Sequence, residues 1–193
     1  MISFSSNRRE IAELAKALEG SPSKIRKQLA IAVNKTAKKA LSQLAKEDAK
    51  ELAATQKVIK ATMKVETKAT ATRNPTSTIV QKKTGRISLR DFNARQTKAG
   101  TTYKTSKTGG RKTVLGAFQG PKPGVIKASW RGHVFKRKGK ERLPIVKLFG
   151  PSPWGVTVKN RLTRPVVKFS RAQLKKEIKE RTRFLNLKKS GAI

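Results

Sequence analysis

Residues 22–53 read PSKIRKQLAIAVNKTAKKALSQLAKEDAKELA and decide the fold. Apolar and small residues recur there at helical spacing, and lysines fill the positions between them. The apolar face comprises Ile25, Leu29, Ala32, Val33, Thr36, Ala37, Ala40, Leu41, Leu44 and Leu52. This pattern predicts one long helix over about 22–53. Its narrow alanine stripe favours close packing against a neighbouring element or a second subunit, because small side chains let helix axes approach.

Three further helices are predicted outside this stretch. Residues 7–20 begin with capping-box spacing and carry apolar residues on one helical face. Thr55 is placed to cap a short helix that extends to about residue 63. Ser170 begins a second capping-box pattern, and the apolar residues that follow it predict a C-terminal helix from about 170.

Between residues 75 and 150 the sequence changes to short β-branched and aromatic runs separated by Gly, Asn and Lys. These runs predict strands at 76–81, 87–89, 101–104, 113–118, 132–136 and 143–149, with a stop at 150–153. Segregated helices and strands are typical of an α+β fold, here with long N-terminal helices, a central mainly antiparallel sheet and a C-terminal helix. We expect one structural domain with arms. Its parts are an N-terminal helical region (1–74), a central β-rich region with a basic loop (75–152) and a C-terminal segment and helix (153–193).

The charge of the chain predicts an anionic partner. Lys and Arg number 47 against 11 Asp and Glu, a formal net charge of +36, so a compact body of this size repels itself. No acidic residue occurs between Asp91 and Glu141. Within this stretch the glycine-rich segment 104–112 is expected to be a mobile loop or hairpin tip. We expect it to contact the DNA backbone through Lys104, Lys107, Arg111 and Lys112. The alternative is a solvated basic loop.

The chain carries few groups suited to catalysis or metal binding. It has no cysteine, and with His133 as the single histidine any zinc site would depend mainly on carboxylates. Glu47 and Glu51 lie beside lysines, which indicates a solvated helix face with local ion pairs. We therefore expect no enzyme activity, no metal and no cofactor. No apolar run has the length of a membrane span or signal peptide, so we expect a protein made in the cytoplasm without a membrane partner.

Four short segments in a fixed order carry a resemblance to a known family. They are Gly116, Ala117 and Phe118; the run 130–137 with Gly132, His133 and Phe135; Leu143, Pro144 and Ile145; and finally Gly150, Pro151 and Ser152. In this order, together with residues 33–36 and 87–90, the chain resembles the prophage minor tail protein Z family, the tail-completion proteins of tailed phages. The likeness covers most of the chain, but the sequence departs from the family pattern after Ser152.

The resemblance implies a structural virion component that acts at the head-proximal end of the tail, in tail completion and head-tail joining. Its implied partners are the tail terminator and the head-completion ring. By analogy with tail tubes it implies a homo-oligomeric ring, six-fold, whose basic loops face genome DNA or acidic neighbouring rings. Composition alone favours another class, a ribosome-associated or nucleoid nucleic-acid-binding protein.

The motif residues also have a purely physical interpretation. Gly116 and Ala117 are expected to permit close backbone approach before a buried Phe118. Leu143, Ile145, Val146 and Leu148 are expected to fill a core that the turn at 150–151 closes. In this interpretation the motifs are first of all residues of the fold.

Overall fold

The computed structural model describes residues 2–4, 22–71, 75–120, 130 and 132–189. In these ranges helices and antiparallel strands occupy different parts of the chain, which confirms the α+β fold class. The predicted helix over 7–20 lies outside the described residues.

The described α-helices are α1 (Pro22–Glu51), α2 (Gln56–Lys60), α3 (Pro153–Lys159) and α4 (Thr163–Lys189). Helix α1 confirms the long helix predicted from the apolar spacing. Its alanine stripe is fully buried at Ala32, Ala37, Ala40 and Ala45, as close packing requires. Helix α2 follows Thr55, which takes the N-cap position without a side-chain capping hydrogen bond.

The described strands are β1 (Ile2–Phe4), β2 (Met63–Thr67), β3 (Ser77–Gln81), β4 (Arg95–Thr97), β5 (Gly100–Tyr103), β6 (Lys112–Leu115), β7 (Ala117–Gln119), β8 (Val134–Arg137) and β9 (Ile145–Lys147). They form three sheets of three strands each, in the orders β1-β3-β2, β4-β5-β6 and β7-β8-β9. Every pairing is antiparallel, as predicted. The first sheet takes β1 and β2 from outside the range 75–150, where strands were expected.

Two of the predicted strands differ in the structure. The run 113–118 is divided at Gly116, whose φ of 68° turns the backbone out of the extended conformation and separates β6 from β7. The strand predicted at 87–89 is wrong. Ser88 makes only an isolated bridge to Phe149, and the chain then enters a 3₁₀ turn at Leu89–Asp91.

The C-terminal helix begins earlier than its predicted start near residue 170. Pro165 lies in the first turn of α4, where the backbone N–H groups have no acceptor within the helix, so proline is tolerated there. Ser170 is therefore inside the helix, and its Oγ donates to the carbonyl oxygen of Val166 at 2.6 Å. The interpretation of Ser170 as a helix cap is wrong. Pro153, expected to stop the chain's regular structure, instead starts α3.

The chain folds into two compact units, each assembled from separate stretches of sequence. The first comprises Met1–Leu44, Met63–Gln81 and Arg161–Ile193, and its described core contains Leu29, Ala30, Ala32, Val33, Ala69, Leu174 and Ile178. The second comprises Ala45–Thr62 and Lys82–Asn160, with a core cluster at Leu89, Ala117 and Val134. The motif segments quoted above for residues 116–152 all belong to the second unit.

Candidate assembly surface and basic loop

Three of the four motif segments meet in one sheet, formed by β7, β8 and β9. Strand β7 pairs with β8 so that Phe118 lies opposite Phe135, and β8 pairs with β9 so that Arg137 lies opposite Ile145. The rings of Phe118, Trp130 and Phe135 pack against one another with centroid separations of 5.2 to 6.3 Å. Three segments spread over about 30 residues of sequence therefore build a single sheet.

His133 holds this sheet to a neighbouring segment. Its Nδ1 lies 2.8 Å from Ser88 Oγ, and its Nε2 lies 3.0 Å from Lys147 Nζ. A lysine ammonium can only donate, so Nε2 accepts, and the hydrogen-bond network assigns the ring proton to Nδ1, which donates to Ser88. These two contacts fix the position of the sheet relative to Ser88.

The turn at 150–152 is tied to the rest of the second unit by three contacts. Gly150 donates its backbone N–H to Ile87 at 2.8 Å, and Ser152 Oγ donates to the carbonyl of Lys83 at 3.2 Å. Gly150 also lies against the fully buried ring of Phe92, so closely that a Cβ would stand 2.6 Å from its Cδ2 atom. The close backbone approach predicted at Gly116 occurs here instead, since a Cβ on Gly116 would meet nothing within 4 Å.

Residues 143–149 place large apolar side chains on the surface. Leu143 is 67% exposed, Val146 49% and Phe149 48%, so the prediction that Leu143 and Val146 fill a core is wrong. Strand β9 is also an edge strand, because β8 is its one partner among the described strands. Beyond β9 the segment is paired at its end, where Ser88 bridges Phe149 and Leu89 N–H donates to the carbonyl of Leu148 at 3.1 Å. A strand edge without a second partner among the described strands, and with exposed apolar residues, is a template for binding another protein. We call residues 143–149 the β9 edge.

Basic side chains surround the β9 edge. Lys136, Arg137, Lys138, Lys140 and Arg142 are all exposed on β8 and the turn that follows it, with Glu141 as the one acidic residue between them. Lys147 Nζ lies 5.3 Å from the centre of the Phe149 ring. The surface therefore combines apolar contact with positive charge, and a complementary partner would present apolar groups rimmed by carboxylates.

The basic loop forms the tip of the β5–β6 hairpin, as predicted. Its backbone is held by Lys107 N–H, which donates to Glu51, and by a bridge between Leu52 and Ser106. Arg111 Nη2 donates to the carbonyl oxygens of Asn93 at 2.6 Å and Thr102 at 3.3 Å, and also to Thr102 Oγ1. Arg111 is therefore engaged in bracing the hairpin.

The two lysines nearer to β5 face a cleft. Lys104 and Lys107 line an open cleft of about 390 Å³ together with Asp91, Asn93, Thr55 and Gln56. Lys112 lies on β6 and is exposed. The four residues predicted to contact DNA are thus on one hairpin, but their surroundings differ, and Lys107 and Lys112 are the two exposed lysines among them.

The described residues contain no group of three His, Asp or Glu side chains placed to hold a metal ion. None of the helices in the described ranges is long and apolar enough to cross a membrane.

The sheet built by three of the motif segments thus has an edge with exposed apolar and basic side chains, the kind of surface that binds other proteins. The sequence model of the prophage minor tail protein Z family matches residues 13–188, nearly the whole chain. The chain therefore belongs to the prophage minor tail protein Z family, and its role is that of a structural protein of a phage tail. No curated protein and no solved structure matches it.

Proposed function

We propose that this protein is a tail-completion subunit that acts at the head-proximal end of the tail and helps to join the tail to the head. The observation that carries the proposal is the family match over residues 13–188, to which the β9 edge adds a surface of the kind that binds a neighbouring protein. The proposed partners are the tail terminator and the head-completion ring. The protein is made in the host cytoplasm and becomes part of the virion.

Assembly into a closed ring, six-fold like a tail tube, is part of this proposal. A ring needs two different surfaces on each subunit that fit one another. A formal charge of +36 opposes association of identical copies until an anionic neighbour reduces the repulsion. We therefore expect ring formation on the tail, in contact with acidic neighbours, and not with the isolated protein.

Contact with the end of the genome is the remaining part of the proposal. Lys107 and Lys112 are exposed on the basic loop and can approach phosphates. Arg111 instead stabilises the hairpin through its hydrogen bond to Asn93. Such contact is independent of base sequence, because phosphate groups are the same in every sequence.

The test is complementation of a phage that lacks this gene. Leu143→Asp combined with Val146→Asp places two carboxylates in the proposed interface, where burial of unpaired charge costs several kcal/mol. We expect electron microscopy to show filled heads and separate tails, with a titre at least about 100-fold below that of the wild-type complement. Immunogold labelling should place wild-type protein at the head-proximal tail end.

Leu115→Asp is the matched control. Leu115 is 67% exposed, as Leu143 is, but lies on β6 and outside the β9 edge. We expect it to complement normally. The proposal would be refuted if the double variant gave joined particles at wild-type titre. Labelling of the wild-type protein at the distal end of the tail would refute it as well. Circular dichroism and melting curves of the purified variants show whether both remain folded.

A further inference from the structure

One face of α4 carries a row of positive side chains. Arg164, Lys168, Arg171 and Lys175 follow one another at intervals of four, three and four residues, and all four are exposed. These intervals average about 3.7 residues, close to the 3.6 residues of one helical turn, so the four side chains form a continuous stripe along the helix. We call these four residues the α4 stripe.

No acidic side chain in the described part of the chain neutralises the α4 stripe. The carboxylates nearest in sequence are used elsewhere: Glu177 binds Lys39 at 2.6 Å and Lys35 at 3.8 Å, and Glu180 is paired with Lys176 at 4.0 Å. Like charges one turn apart destabilise a helix by a few tenths of a kcal/mol per pair. The stripe is therefore unfavourable for the isolated helix, and an external anion would remove this cost.

A cleft adjoins the N-terminal part of the α4 stripe. It has a volume of about 500 Å³ and is lined by Thr163, Arg164, Val167, Lys168 and Arg171, so three of the four cations border it. Its position near the start of α4 adds the partial positive charge of the helix N-terminus to theirs. The surface is thus concave as well as positively charged.

The stripe suits a phosphate backbone better than a protein surface. The exposed large apolar residues described on α4, Phe184 and Leu187, lie beyond it toward the C-terminus, so the stripe itself offers only charge. From Arg164 to Lys175 the helix rises about 16 Å, which matches about five phosphates of one DNA strand. Protein interfaces usually have an apolar centre of several large side chains, as the β9 edge has, whereas Val167 is the one apolar residue that lines the cleft beside the stripe.

We propose that the α4 stripe is a binding site for the phosphate backbone of double-stranded DNA, independent of base sequence. This proposal rests on the genome contact proposed above and adds a second site to it. The α4 stripe belongs to the first unit, whereas the basic loop belongs to the second unit. Four contacts should make the logarithm of affinity fall with the logarithm of salt concentration with a slope of about −3.6 from this site alone.

The experiment measures binding of the full chain to two unrelated 30-base-pair duplexes across a salt series. The variant that changes Arg164, Lys168, Arg171 and Lys175 to Gln should flatten the slope by about 3.6 on both duplexes. The control changes Lys24, Arg26, Lys27 and Lys38 of α1 to Gln, which removes the same charge from exposed positions. It should leave the slope within about one of the wild-type value. A third variant, Arg164→Lys with Arg171→Lys, keeps the charge and should keep the wild-type slope.

If the α1 and α4 variants lowered the salt slope by the same amount, the slope would depend on net charge and not on the α4 stripe. That result would overturn the proposal. An unchanged slope in the α4 variant would do the same. If the α4 variant lost binding to polyglutamate but not to DNA, an acidic protein would be the ligand instead. The variant with Gln at Lys104, Lys107, Arg111 and Lys112 tests the basic loop in the same assay. Failure of the proposed tail-completion role would appear in the complementation test and would leave these slopes unaffected.

Discussion

Replacement of Gly150 by Ala is expected to destabilise the protein by about 2–3 kcal/mol, because it overpacks a filled core. The added Cβ would stand 2.6 Å from Phe92 Cδ2 and 3.1 Å from Cζ, and Phe92 is fully buried. Either the ring or the turn at 150–152 must move. For a chain of this length the melting temperature should fall by roughly 5–10 °C, which calorimetry or circular dichroism can measure.

Gly155→Ala is the matched control for this substitution. Gly155 lies in α3, five residues further on, and a Cβ there would meet nothing within 4 Å. Since Ala is the better helix former, we expect this variant to be more stable by about 0.5–1 kcal/mol. Equal melting temperatures for the two variants would show that the contact between Gly150 and Phe92 does not limit the packing.

Replacement of Lys35 and Lys39 together by Met should have a still larger effect, a loss of about 3–5 kcal/mol at neutral pH. Both lysines pair with Glu177, which is buried in the first unit while its partners are half exposed. Removing them leaves a buried carboxylate with Gln173 Nε2, at 3.1 Å, as its remaining described hydrogen-bond donor. Urea unfolding at pH 7 measures the loss. Lys24→Met with Lys27→Met removes the same charge from exposed positions and should cost much less.

The contribution of Glu177 to the pH dependence of stability should change sign in the Lys35 and Lys39 variant. Burial alone would raise the pKa of Glu177, but Lys39, Gln173 and Lys35 outweigh it and hold this pKa below that of an ordinary glutamate. In the wild type, Glu177 therefore contributes stability that is present above the unfolded pKa and lost as the pH falls through the folded pKa. Without the lysines, burial raises the folded pKa, so stability is lost as the pH rises through it.

Glu177→Gln isolates this contribution from the rest of the chain. The difference in unfolding free energy between a protein and its Glu177→Gln counterpart should grow between about pH 3 and pH 6 in the wild type. It should shrink over the same range in the background without Lys35 and Lys39. Parallel curves in the two backgrounds would mean that Glu177 does not titrate against these lysines.

The predictable parts of the fold are those that local periodicity determines. The apolar spacing of 22–53 predicts α1 to within two residues of its C-terminal end. The predicted start of α4 is wrong because proline usually interrupts a helix and serine often caps one. Here Pro165 lies in the first turn and Ser170 lies inside the helix. The strand predicted at 87–89 is wrong for a related reason, since a strand needs an extended partner and the pairing here is limited to the single bridge between Ser88 and Phe149.

The burial of two acidic residues was not predicted from the sequence. Asp48 lies in a charged run of α1 but is fully buried, and Thr157 Oγ1 donates to it at 2.7 Å from 109 residues away. For Glu177 a local signal does exist. It stands three residues after Leu174 and directly before Ile178, both core residues, and so belongs to the apolar face of α4.

The physical roles predicted for the motif residues were only partly correct. The order of the segments along the chain agrees with their pairing in one antiparallel sheet. The exposure of Leu143 and Val146 could not be predicted, because an apolar run has the same sequence pattern in a core as at an interface. Nor does the sequence show that Arg111 is held by Asn93 and Thr102. These contacts depend on how the hairpin closes.

The division of the first unit among distant stretches of sequence also has a consequence for biosynthesis. Lys39 and Glu177 are separated by 138 residues, and the core residues Leu174 and Ile178 emerge from the ribosome equally late. At about 5–20 residues per second, α1 waits roughly 7–28 s before α4 exists to cover Leu29 and Val33. During that interval α1 exposes its apolar face, with lysines on the rest of its surface. Apolar surface exposed in this way is what chaperones bind. The synthesis of α4 therefore sets the earliest time at which the core of the first unit can close.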